Sequence, residues 1–219
     1  GVERPPMAPL IPTAKGVSIL VDSGANVDSR PSFLVQWAKM GSIYMENIMG
    51  IKNPKVAIVN VGLEEEKGNQ LVKETYPLFQ ACKDINFIGS IEARNIPNGD
   101  ADVIVCDAFV GNVILKLYEG TAKMLLSKVK TTLMSSLKTK IGALLIKNSL
   151  SDTMKSFEAK QYGGAPLIGL NGLVVKTHGN AKAMEVKNSL LQCVKFQREK
   201  VNEKIIASIS AEKLDEAEA

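Results

Sequence analysis

The sequence predicts an α/β layered fold on a mostly parallel sheet, and three observations predict it. Short β-branched runs alternate with longer segments of helical periodicity, the order that lays helices against a parallel sheet. The runs are almost continuously apolar, as strands buried on both faces are. Four of them lead into loops rich in Gly, Asn and Asp, and in such folds ligands bind outside the carboxyl ends of strands.

Taken in order, Val17–Val21, Lys55–Val61, Ile85–Ile88, Ala101–Cys106 and Leu173–Lys176 read as the strands. Ser32–Met49 is the first helix: Pro31 suits an opening turn, Gly50 an end, and Pro54 the turn into the next strand. Glu64–Cys82 and Gly111–Lys147 have helical period and length. Lys182–Ser208 closes the pattern, with Val186, Leu190, Val194, Val201 and Ile205 at helical spacing. Residues 210–219 read as a frayed tail. The 219 residues make a single α/β domain, able to bury about 70% of the unfolded surface without covalent staples.

Composition narrows the class. With 45% hydrophobic and 23% charged residues, disordered, collagen-like and disulfide-scaffold chains are excluded. A net charge of +4 is too mild to imply nucleic acid, and none of the few aromatic residues falls in a basic cluster. Cys82, Cys106 and Cys193 are odd in number and lack a C-x-x-C pair, so they read as small buried hydrophobes of a reducing cytosol. Apolar stretches such as Ile141–Ile146 fall far short of the ~20 residues that span a bilayer. The expectation is a cytoplasmic chain without nucleic-acid partners.

Missing motifs narrow the chemistry. There is no G-x-G-x-x-G, no P-loop and no G-x-S-x-G elbow, and a single His excludes H-E-x-x-H. No metal or cofactor is expected. Glu64–Glu66 reads first as a solvated opening turn of a helix.

The loops after strands carry the candidates: Asp22-Ser23-Gly24-Ala25-Asn26, the Asn60–Asn69 stretch, Cys106–Asn112 and Lys176-Thr177-His178-Gly179-Asn180. Each is also ordinary turn chemistry. Lys67 stands beside Gly68, where a cation and backbone N–H groups can converge on an anion, or it is a surface lysine. Asn112 follows Gly111 at a helix start, as an N-cap or as an amide donor to an oxyanion. Asp107 braces its loop or steers a cation. His178 is a structural histidine or a proton donor. Tyr162-Gly163-Gly164-Ala165-Pro166 needs close backbone approach, to a ligand or to neighbouring packing.

At these residues the chain resembles the bacterial phosphate acyltransferases of phospholipid synthesis, the PlsX family. Five blocks match in order: Val21–Asp28, Met40–Tyr44, Gly62–Asn69, Phe87-Ile88-Gly89 through Pro97–Asp102 to Gly111-Asn112, and Tyr162–Gly172 leading to Lys176-Thr177-His178-Gly179. The likeness runs from Gly1 to about Gln197. Ser23 replaces a usual aliphatic residue and Ala108 a usual Gly.

The resemblance implies transfer of a long acyl chain from acyl carrier protein to inorganic phosphate, giving an acyl phosphate. It implies a three-layer α/β/α sandwich like that of isocitrate and isopropylmalate dehydrogenases, a homodimer, and no cofactor. It also implies a chain incomplete at its N-terminus: the family's opening strand and Asp-Ala-Met-Gly-Gly-Asp loop have no counterpart, and weak activity alone is expected. Within the match, Lys67 is expected to neutralise phosphate, Asn112 to hydrogen-bond an oxyanion or phosphate, and His178 to protonate the leaving thiolate. Asn26, Gly62, Gly68, Asn69, Asp107, Gly111, Gly163 and Gly164 are the expected substrate-binding positions. A dehydrogenase of the same fold, and a non-catalytic dimerisation or membrane-docking fragment, are the alternatives.

Residues 121–160 hold eight lysines against Asp152 and Glu158, a net of +6, with Leu126, Val129, Leu133, Leu137, Ile141 and Leu144 at helical spacing. Alone this pattern reads as a packed helix pair or dimer contact. The resemblance, to peripheral membrane enzymes whose product goes to a membrane acyltransferase, turns the expectation toward an anionic membrane surface.

Overall fold

A computed structural model describes residues 1–156 and 162–218. In it the apolar runs become strands, of which Gly16–Val21, Lys55–Val59 and Val103–Val105 are largely buried on both faces. Strands β1 (Leu10–Thr13), β2 (Gly16–Val21), β3 (Lys55–Val59), β4 (Asn86–Ile91) and β5 (Val103–Val105) form one sheet in the order β1-β2-β5-β3-β4. β1 runs antiparallel to β2, and every other neighbouring pair is parallel. Ile19 and Val56 both lie opposite Val103, and Val21 and Ile58 both lie opposite Val105. Side chains alternate along a strand. Those six residues therefore enter one core, while Leu20, Ala57 and Ile104 enter a smaller core on the other face.

The helices are α1 (Pro31–Tyr44), α2 (Gln70–Ala81), α3 (Ala108–Leu133), α4 (Leu137–Leu145), α5 (Lys147–Ser156), α6 (Ala183–Arg198) and α7 (Val201–Glu218). α1 crosses the larger core against α2 and α7, burying Trp37 and Met40 among Phe79, Val201, Ile205 and Ile209. Trp37 satisfies its indole N–H by donating to the carbonyl of Arg4 at 2.8 Å. On the opposite face Val110, Ile114 and Leu115 of α3 pack against the smaller core. The result is the expected three layers with a mostly parallel central sheet. Among the described residues, no helix is long and apolar enough to cross a membrane.

Where elements differ from expectation, local chemistry explains it. The first helix keeps its expected bounds but widens into a π-helical turn over Met45–Met49, closed by left-handed Gly50. The second begins at Gln70, not Glu64, because Asn69 caps it by accepting from the N–H of Val72 at 2.9 Å. The helix expected over Gly111–Lys147 is interrupted after Leu133, where Ser136 and Thr139 form a reciprocal capping box, and again at Ile146. Lys200, at φ 52, divides the closing helix into α6 and α7. Helical backbone then continues over 210–218, where a tail is expected.

Leu173–Lys176 does not join the main sheet. Strands β6 (Ala165–Leu167) and β7 (Val174–Lys176) make a separate antiparallel hairpin. The hairpin leans on the N-terminal segment, since Ala8 donates to Pro166 and Ile168 to Pro6. Residues 157–160 of the basic segment lie outside the described residues.

Ile104 is fully buried on the central strand, whereas Leu144 is 71% exposed. Ile104→Ala is expected to lower stability by about 2–5 kcal/mol and Leu144→Ala by no more than about 0.5 kcal/mol, read from urea denaturation midpoints.

Candidate functional site

The loop after β2 is organised by one buried carboxylate. Asp22 Oδ1 accepts from the backbone N–H groups of Met7 (3.0 Å), Gly24 (3.0 Å) and Ala25 (3.1 Å). Its Oδ2 accepts from the backbone and side-chain nitrogens of Asn26, both at 2.8 Å. The Asn26 carbonyl in turn accepts from the N–H of Ala108, the first residue of α3. Ala108 sits there in ordinary helical backbone, so the usual Gly is not required. Asp107 caps the same helix by accepting from the N–H of Val110 at 2.9 Å. A Cβ on Gly111 would stand 1.8 Å from the Asp22 carbonyl oxygen. The glycine therefore lets α3 start directly against the backbone of the Asp22 loop.

Beyond the carboxyl ends of β3 and β5 opens a cleft of about 540 Å³. Its walls are apolar (Leu34, Ile58, Val59, Leu71, Val72 and Val110), and Asn60, Gly68, Asn69, Glu92, Arg94 and Asp107 also line it. Asn60 is buried and holds the following loop closed. Its amide donates to the Lys67 carbonyl and to Ser90 Oγ, both at 3.1 Å, and its Oδ1 accepts from the N–H of Val61 at 2.8 Å. Gly68 has φ +107, and a Cβ there would lie 2.6 Å from Asn60 Oδ1. This turn therefore needs glycine twice over, for backbone sign and for space.

Lys67 stands on the rim next to Gly68. Its Nζ donates to Glu64 Oε1 at 2.8 Å, with both side chains about half exposed. That hydrogen bond holds the ammonium above the usual lysine value and the Glu64 carboxyl below the usual glutamate value, so both are charged at neutral pH. Exposed pairs contribute little to stability, and the ammonium is available to exchange Glu64 for an incoming anion. Gly62 lies under this pair, where a Cβ would meet Lys67 Cδ at 2.6 Å. Cys106 also lines the cleft, but burial pushes its thiol well above the usual cysteine value, with Asp107 and Asp22 adding to the effect. The thiolate needed for covalent attack is therefore not populated at neutral pH.

The expected site residues fall into three groups. Gly68, Asn69 and Asp107 line the cleft, with Gly62 and Lys67 next to lining residues Val61 and Gly68 but not themselves in the lining. Asn26, Gly111 and Asn112 gather at the Asp22 loop, which shares the first turn of α3 with the cleft. Asn112 is not an N-cap, because Asp107 has that position; it is exposed in the second turn, its Oδ1 near Gly24. The third group stands apart. Gly163 packs on Gln192 and Asn188 of α6, and Gly164 on the Lys176 carbonyl of the hairpin. His178 Nε2 lies 3.2 Å from Glu119 Oε1, and Glu119 is roughly 10 Å along α3 from Asn112 at 1.5 Å per residue. Asp22, Asn60, Glu92 and Arg94 are absent from the sequence-derived set. Among the described residues, no cluster of three or more His, Cys, Asp or Glu is arranged to hold a metal ion.

Residues 1–204 match the family described as "Fatty acid synthesis protein". The phosphate acyltransferase of Alkaliphilus oremlandii (strain OhILAs) is 50% identical over 220 residues, covering 100% of this chain and 65% of that protein. The phosphate acyltransferase of Clostridium perfringens (strain SM101 / Type A) is 47% identical over 215 residues, covering 98% and 63%. A solved branched-chain phosphotransacylase from Enterococcus faecalis V583 aligns with a TM-score of 0.49 at 17% identity, over 86% of this chain and 63% of that one. The chain thus spans a little under two thirds of the length of the curated relatives it matches.

Two substitutions test the organisation of the site. Gly111→Ala drives a methyl into a backbone carbonyl that cannot turn aside, and a loss above about 3 kcal/mol is expected. Asp22→Ala removes the buried acceptor that four backbone N–H groups share, and a loss of about 2–3 kcal/mol is expected. Exposed Asn112→Ala is expected to stay within about 0.5 kcal/mol. Urea denaturation followed by circular dichroism ranks the three.

Proposed function

The chain belongs to the fatty acid synthesis protein family, and we propose that it serves transfer of a fatty acyl group from acyl carrier protein to inorganic phosphate, giving acyl phosphate for phospholipid synthesis. The observation that carries this reading is the cleft itself, apolar along its walls, with polar groups in its lining and a half-exposed cation beside its rim. An acyl chain suits the walls, and phosphate suits the rim.

In the proposed step a phosphate oxygen attacks the thioester carbonyl, the O–C bond forms, and the tetrahedral oxyanion collapses with loss of the C–S bond. The proton released from phosphate passes to the departing thiolate. Lys67 leaves Glu64 to neutralise the phosphate, and the Asn112 amide donates to the oxyanion or to phosphate. Gly62, Gly68, Asn69, Asp107, Asn26 and Gly111 shape the substrate-binding loops, and Gly163 and Gly164 open the hairpin that His178 follows, a group that stands apart from the cleft. His178 is assigned the protonation of the thiolate, for which it has to release Glu119. A thiolate leaves readily, so no enzyme nucleophile is needed, in keeping with the protonated Cys106.

We also assign an anionic membrane surface and a second copy of the chain as partners. Leu125, Val129, Leu137, Ile141, Leu144 and Leu145 are exposed along α3 and α4, among lysines. Charge and apolar insertion both contribute, each lysine near an anionic surface being worth at most ~1 kcal/mol. Docking there would deliver the acyl phosphate to a membrane acyltransferase.

Mass spectrometry tests the reaction. Acyl carrier protein thioester and phosphate are incubated with this chain, and with the chain extended by the part of the Alkaliphilus relative that lies outside the match. Acyl phosphate from either preparation is the expected result, and none from both overturns the reading. Lys67→Ala and Asn112→Ala are each expected to lower turnover by roughly 10²-fold, with the phosphate KM also raised in Lys67→Ala and the fold intact. His178→Ala is expected to cost less. Sedimentation with anionic vesicles should be salt-sensitive and weakened by Leu144→Glu; equal binding by that variant contradicts the docking assignment. Light scattering reads the dimer.

A further inference from the structure

We propose that Arg94 is a second cation of the cleft and binds a phosphoryl oxyanion there, an inference whose chemistry rests on the acyl-transfer reading. The sheet dictates its place. β4 pairs with β3, and just past the strand ends the N–H of Asn60 donates to the Ile91 carbonyl at 3.0 Å. The Lys67 loop and the 3₁₀ turn over Ala93–Asn98 therefore leave the sheet side by side. The nearness extends to charge, since Glu92 helps hold the Lys67 ammonium protonated.

The guanidinium is oriented but not used up. Its Nε and Nη2 both donate to Glu92 Oε2, at 3.2 and 2.7 Å. A guanidinium carries five N–H groups in a planar fork, so donors remain, on a side chain 78% exposed. Such an exposed pair adds little to stability, so the fold does not depend on Arg94.

The cleft's own charge requires a second cation. The charged side chains lining it are Glu92, Asp107 and Arg94. Among the described residues of the lining, without Arg94 an entering phosphate would face two carboxylates and no cation, with Lys67 beside the lining already engaged by Glu64. A planar fork matches a phosphate edge in two parallel hydrogen bonds, which a lysine cannot reproduce. The oxyanion has two possible sources, inorganic phosphate or the phosphodiester of the carrier protein's prosthetic arm.

Calorimetric titration of inorganic phosphate into the 219-residue chain tests the assignment, with Arg94→Ala and Arg94→Lys alongside and thermal melting as a check on folding. Arg94→Ala is expected to weaken phosphate by about tenfold or more and Arg94→Lys to restore only part, with melting unchanged. If the source is inorganic phosphate, Arg94→Ala also raises the phosphate KM and leaves that of the thioester alone. If it is the prosthetic arm, phosphate affinity is unchanged, the carrier thioester KM rises, and a short thioester lacking the arm's phosphate is indifferent to Arg94. Unchanged phosphate affinity together with unchanged KM values in Arg94→Ala overturns the proposal while acyl transfer stands. Arg94-dependent phosphate binding without acyl phosphate from any preparation upholds the proposal and overturns acyl transfer. Absence of both phosphate binding and turnover in the parent overturns both.

Discussion

The site depends on a buried carboxylate that must be satisfied. Asp22 follows the last buried residue of β2 and has no exposure to solvent, so its charge has to be met by protein donors. The nearby N–H groups of Met7, Gly24, Ala25 and Asn26 supply them. Meeting that demand curls the loop, ties the N-terminal segment to the sheet, and presents the Asn26 carbonyl to the first turn of α3. Gly111 then allows the helix to settle on the Asp22 backbone. A desolvation penalty at one residue in this way sets the position of Asp107, Asn112 and one wall of the cleft.

The cleft's electrostatics follow a second pattern. Each cation near it is held by a carboxylate from its own loop, Lys67 by Glu64 and Arg94 by Glu92. Both pairs are exposed enough that exchanging the partner for a substrate anion costs the fold little. Asn60 and Asp107, by contrast, are committed to closing a turn and capping a helix. Exposed, exchangeable pairs and committed structural contacts thus fall to different side chains. The apolar walls between them come from α1, α2, α3 and β3, and their residues also belong to the two cores on the faces of the sheet, so the cleft is a continuation of the core.

Much of this was legible in the sequence because it is local. Apolar runs marked β2, β3 and β5, Pro31 and Gly50 bounded the first helix, and two of the four Gly- and Asn-rich loops, Asn60–Asn69 and Cys106–Asn112, supply residues that line the cleft. What escaped depended on long-range pairing or on small local choices. Leu10–Thr13 contains a proline and is a strand only because β2 lies beside it. Ala165–Leu167 is likewise defined by its partner, which drew Val174–Lys176 away from the sheet. Ser136 and Thr139 ended a helix that periodicity alone extends to Lys147. Asn60 read as ordinary turn chemistry and Arg94 carried no local signal, and strand pairing sets their loops side by side. Gly163, Gly164 and His178 matched the family pattern, yet they stand on a hairpin whose placement no local signal specifies.

Phosphate as the attacking nucleophile is the central claim, and oxygen labelling tests it most directly. Acyl carrier protein thioester is turned over with ¹⁸O-labelled inorganic phosphate in unlabelled water, and the products are weighed by mass spectrometry. Acyl phosphate that retains every labelled oxygen, with its yield dependent on Lys67, is the predicted result. Free fatty acid without label would mean that water attacks the thioester, and would contradict the account.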